Sequence, residues 1–158
     1  MIGLALVLPA VMGGGLFALA QWEFGSGDCA DSAVRTEQVA SLRILDMPPP
    51  RSRPSPGWEN AESECLDDSG EAWLAVTRQF DSEETWPVVL DHYRAAAGRD
   101  GWSVELPDGG AGIPQGPADV CYTKDVAGGP VLLRILFGAP GTFFVSAESS
   151  LDGTPMGC

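Results

Sequence analysis

Two periodicities divide the chain. Residues 73–80 (WLAVTRQF) alternate, with Leu74, Val76 and Phe80 on one face and Arg78 interrupting it, which predicts a strand buried on one side. Over residues 83–97 the period becomes helical. Trp86, Leu90, Tyr93 and Ala97 share one face, Val89 and Ala96 flank it, and Asp91 and Arg94 point away. Asp81, Ser82, Glu83 and Glu84 offer caps and first-turn acids for this helix. Pro87 confines its start, because a missing N–H is harmless only in the first turn, and Gly98 offers a left-handed stop.

Alternation returns at 102–106 and continues at 120–126, 131–137 and 142–148. In the third of these segments Leu133, Ile135 and Phe137 share a face, and in the fourth Phe143 and Val145 lie opposite Phe144 and Ser146. The glycine- and proline-containing turns at 127–130 and 138–141 are short enough for antiparallel hairpins. Residues 106–118, rich in Gly and Pro, read as a loop. The expected fold is therefore α+β: one helix on a twisted antiparallel sheet in the order β-α-β-β-β-β.

Upstream, Val34, Gln38 and Leu42 fit one helical face, with Asp31 or Ser32 as cap, and residues 42–45 fit a short extended piece equally well. Residues 47–57 (MPPPRSRPSPG) hold five prolines and read as an extended connection, or as a segment lying across the domain surface. Residues 61–71 place Glu62, Glu64, Asp67, Asp68 and Glu71 around Cys65 and read as an acidic turn. The implied organisation is a membrane-directed segment at 1–20, a juxtamembrane and proline-rich stretch at 21–60, and an extracytoplasmic domain at 61–158.

Residues 2–20 are an uncharged apolar run, roughly 28 Å long as a helix and close to the hydrocarbon thickness of a bilayer. Trp22 and Phe24 follow where interfacial aromatics of a retained anchor sit, whereas Ala18-Leu19-Ala20 has the small-x-small form of a cleavage site. A single-pass anchor is the first reading and secretion after cleavage at Ala20 the second. Both place the remainder outside the cytoplasm.

All 22 acidic and 9 basic residues lie beyond this run, so the net charge of −13 belongs to the exported part. Such a surface disfavours nucleic acid, because binding it means neutralising phosphates. Four cysteines, Cys29, Cys65, Cys121 and Cys158, are widely spaced and lack the C-x-x-C spacing of zinc or redox sites. Two disulfides are expected in an oxidising compartment, with Cys65–Cys121 and Cys29–Cys158 the favoured pairing of three. Cys29 is not a lipid-attachment site, since Asp28 and Ser26 occupy positions that require a small and an aliphatic residue.

Candidate chemistry is sparse. Dense carboxylates at Asp67 and Asp68 suit a hard cation such as Ca²⁺, but the ligands do not alternate as in an EF-hand loop. His92, the sole histidine, lies at the edge of the helical apolar stripe, with no nucleophile motif to make it a hydrolase base. Gly109-Gly110-Ala111-Gly112 lacks the Lys-Ser/Thr of a phosphate loop. No cofactor, metal or catalytic residue is therefore assigned. Trp58 and Trp73 read first as core packing or as cover for the linker, and second as a partner-binding patch.

Glu64–Gly70 (ECLDDSG), the run V-L-x-H-Y-R-x-A-A-x-x-x-G-W beginning at Val89, and Cys-Tyr-Thr-Lys at 121–124 carry a resemblance. Over residues 45–158 the chain resembles small extracytoplasmic membrane or lipoprotein-like proteins of GC-rich actinomycetes. The resemblance implies location and fold and assigns no activity. The expected function is a monomeric, non-catalytic binding or accessory module of the cell envelope with an envelope protein as partner. The rivals are a small-ligand or Ca²⁺-binding protein using Asp67 and Asp68, and a small extracellular hydrolase.

Overall fold

The computed structural model describes residues 28–67, 71–105 and 120–158. The expected apolar run at 2–20, the loop at 106–118, the glycine run at 109–112, and Asp68 lie outside the described residues. No helix among the described residues is long and apolar enough to cross a membrane.

Among the described residues seven strands form one antiparallel sheet: β1 Ser52–Pro54, β2 Glu62–Leu66, β3 Trp73–Ser82, β4 Ser103–Glu105, β5 Cys121–Val126, β6 Gly129–Phe137 and β7 Thr142–Ser150. The order across the sheet is β1-β3-β7-β6-β5-β4, and β2 pairs with the first half of β3 on the same side as β1. Two helices, α1 Ala33–Ala40 and α2 Trp86–Arg99, complete the α+β fold.

The alternating residues do what their spacing predicts. Leu74, Val76 and Phe80 of β3, Val131, Leu133 and Ile135 of β6, and Phe143, Val145 and Ala147 of β7 form one buried surface. Against it α2 lays Val89, Leu90, Tyr93, Ala96 and Ala97. Burying each large side chain stabilises the fold by about 1.5–3 kcal/mol. Phe80 and Phe143 stack at 5.3 Å, and Tyr93 meets Phe143 edge-on at 6.1 Å. Arg78, the polar interruption, sits at the core margin, where it pairs with Asp46 and donates to the Glu59 carbonyl.

Four expectations are corrected. The sheet is larger than the predicted five strands, because edge segments carry little apolar alternation. β2 lies within the acidic stretch read as a turn, and β1 lies within the proline-rich stretch. Pro54 is tolerated there because an edge strand has one unpaired side. The packing also reaches upstream of residue 61: Val39, Ile44 and Leu45 belong to the core.

The cysteine pairing differs as well. The bonds are Cys29–Cys65 and Cys121–Cys158, with Cα separations of 5.7 and 5.8 Å, and not Cys65–Cys121 with Cys29–Cys158. Strands β3, β7 and β6 stand between Cys65 on β2 and Cys121 on β5. Four strand spacings amount to roughly 19 Å, beyond the reach of a disulfide. One bond ties the segment before α1 to β2, and the other ties the segment after β7 to β5.

On α1 the buried positions are Arg35 and Val39, while Val34, expected on the inner face, is 69% exposed. Arg35 explains the rotation. Its guanidinium donates to Ser149 Oγ from Nε (3.0 Å) and Nη2 (2.7 Å), to the Gly129 carbonyl (2.9 Å), and to the Ala127 carbonyl. The helix is turned so that this one residue clamps the β5–β6 turn.

On α2, Trp86 lies in the first turn and is 52% exposed rather than part of the buried stripe. The left-handed glycine after the helix is Gly101 (φ 78), three residues beyond Gly98.

Candidate functional site

The far end of β3 builds a concave surface. Ser82 closes the strand and its N–H donates to the Gly141 carbonyl (2.7 Å), which brings the β6–β7 turn alongside. That turn reverses at Gly141, whose φ of 82 a side chain would strain. Ser82 Oγ accepts from Ser52 Oγ (2.8 Å) and from the Glu84 N–H (3.0 Å), joining β1 to the loop that starts α2.

Two adjoining hollows result. One, about 350 Å³, is lined by Glu84, Trp86, Val89, Phe137, Pro140 and Phe143 among others. The other, about 450 Å³, lies between Arg51, Arg53, Asp81 and Glu83. They share Ser82 and Gly141, so they form one groove with an apolar half and a charged half. Its apolar half is within the size range of small ligand sites.

The charges of the groove are partly satisfied internally. Arg51 Nη2 pairs with Glu83 at 2.6 Å, which pulls the Glu83 carboxyl below its ordinary value and pushes the guanidinium up. Glu84 is different: its side chain is only 19% exposed, and the nearest cation, Arg51 Nη1, is 3.8 Å away. Asp81 accepts from Ser55 Oγ (2.6 Å). Thr85 occupies the N-cap of α2 without a side-chain cap, and the first turn of the helix carries no acid.

The other sequence candidates lie elsewhere. His92 is half-buried mid-helix, and its Nε2 donates to the Met47 carbonyl at 2.8 Å, fastening α2 to the segment before β1. Its ring meets Tyr93 edge-on at 5.2 Å. Asp67 is exposed, and among the described residues no group of three or more His, Cys, Asp or Glu side chains is arranged to hold a metal ion. Trp58 packs edge-on against Phe144 at 6.0 Å, and Trp73 is half-buried. The four cysteines are all bonded.

Sequence reasoning found the components of the groove without joining them. Glu84 was expected as a first-turn acid but precedes the N-cap Thr85, and Arg51 was visible only as part of a proline-rich stretch. The available signal was Pro87, which holds Trp86 in the first turn and so at the rim of the helix layer.

Comparison of the chain with protein-family models, curated proteins and solved structures finds no match.

Proposed function

We propose that this chain is a membrane-tethered or secreted module of the cell envelope that acts by binding, without catalysis of its own, and that the groove at the end of β3 is its contact surface. The observation that carries the compartment is the pairing of all four cysteines into two bonds that staple the segments at Cys29 and Cys158 to the sheet. Such bonds persist in oxidising compartments and are rare in the cytosol. The apolar run at 2–20 and the resemblance to small extracytoplasmic proteins favour the same location. Trp86, about half exposed beside the hollow, favours binding, since exposed aromatics beside a concave surface are typical partner anchors.

Photo-crosslinking of the full chain in intact native cells tests this. A benzophenone residue at exposed Thr85, which lines the groove, is expected to capture one envelope protein reproducibly. The same group at exposed Val34, on α1, is expected not to. Equal capture from both positions, or from neither, would refute the groove as contact surface.

A further inference from the structure

We infer that the groove receives a lysine or arginine side chain from an extended segment of a partner protein, its cationic head between the Trp86 ring and the Glu84 carboxylate. The inference rests on the binding role proposed above and adds the chemistry of what is bound.

Three observations point to a cation. The Glu84 carboxylate is held at the wall of a mainly apolar hollow with its side chain largely buried. Its nearest cation, Arg51, is already engaged more closely by Glu83, at 2.6 Å against 3.8 Å. A mostly covered carboxylate whose counter-charge is shared with Glu83 favours an incoming cation. Second, Trp86 lines the same hollow and leaves half its surface open, and an indole face attracts Lys or Arg by about 0.5–1 kcal/mol at exposed sites. Third, a chain of net charge −13 attracts basic partners over distance and repels acidic ones.

A protein segment is favoured over a free amine by shape and place. The apolar hollow continues into the charged one through Ser82 and Gly141, giving an elongated path rather than a closed cell. The groove also lies opposite the stapled N-terminal end. Cys65 is level with Leu74 in the β2–β3 register, and Ser82 is eight residues further along β3, roughly 26 Å away. The groove therefore lies at the end of the sheet remote from Cys29 and Cys65.

The test is an NMR titration of the full chain in nonionic detergent, with ¹⁵N-labelled tryptophan and the Trp86 indole assigned by Trp86→Phe. The probes are a blocked pentapeptide carrying one Arg between two Val, its Gln counterpart, and N-acetylarginine amide. The Arg peptide is expected to shift the Trp86 indole saturably, and the Gln peptide to bind about fivefold or more weakly. Glu84→Gln should reduce Arg-peptide affinity to the level of the Gln peptide. Arg51→Gln, which removes the competing internal cation, should strengthen it. The other four indole signals report whether each variant stays folded.

Equal affinity for both peptides, indifference to Glu84→Gln, or no Trp86 shift would overturn the inference. N-acetylarginine amide binding as tightly as the Arg peptide would overturn the assignment to a protein segment. The crosslinking result stands independently, so failure of the binding role and failure of the cation assignment are distinguishable.

Discussion

Replacing Arg35 by methionine keeps the aliphatic stem and removes the guanidinium that joins α1 to the β5–β6 turn. The side chain is 8% exposed in total. Its named acceptors are the hydroxyl of Ser149, the carbonyls of Ala127, Gly129 and Pro130, and the amide oxygen of Gln38, all of them neutral. Two effects oppose each other. Burial disfavours the cation and holds its pKa below the ordinary value, so removing the charge recovers some desolvation free energy. Against this, the variant leaves acceptors at the clamp without their donor, at about 1–3 kcal/mol for each buried one. With two or three groups stranded and part of the cost recovered, the expected net destabilisation is about 2–4 kcal/mol. Urea unfolding of the oxidised protein, followed by tryptophan fluorescence, measures it. A change under about 0.5 kcal/mol with an unchanged slope would refute the clamp and mean that water replaces the guanidinium.

Four further outcomes follow from the same structure. Exchange of Cys121 and Cys158 for serine opens a loop with a sequence separation of 37, and should cost roughly 4 kcal/mol by loop-closure entropy, read as a lower urea midpoint. Gly129→Ala should destabilise by about 2 kcal/mol or more, because φ is 122 and the new Cβ would stand 3.1 Å from Gly153 Cα; Gly98→Ala, in open helix, should stabilise by about 0.5–1 kcal/mol. Burial pushes the Glu148 carboxyl above its ordinary value of 4.5, against the pull of Arg134. The folded state then binds the proton more tightly, so this residue's contribution is full below pH 4.5 and is lost as pH rises through the folded pKa. Glu148→Gln should flatten the fall in stability upward from pH 4.5; an unchanged pH profile of unfolding would contradict that assignment.

The core of the fold was legible because β3 and α2 each bury one main apolar face, and β6 and β7 place their large apolar residues in alternation against it. The alternation in β3, β6 and β7 and the helical stripe of α2 are responses to a single apolar surface, and periodicity reads such responses directly. The edge was not legible. β1 and β2 each pair along one side only, so Ser52, Arg53, Glu62 and Glu64 are free to be polar and carry no inward pattern. The disulfides failed for a related reason: their pairing depends on the strand order between Cys65 and Cys121, which cysteine spacing does not encode. Arg35 defeated the reading of α1 because a buried arginine satisfied by a hydroxyl and backbone carbonyls resembles a surface residue in sequence. The groove was hidden in the same way, since Glu84 and Arg51 meet only when β1 docks on the end of β3.

The compartment is the premise of the whole account, and the state of the cysteines tests it most directly. The full chain is recovered from intact native cells under acidic thiol trapping and mapped as unreduced peptides. The account predicts no alkylated cysteine, one peptide joining Cys29 to Cys65, and one joining Cys121 to Cys158. Four alkylated cysteines would place the folded chain in a reducing compartment and contradict it.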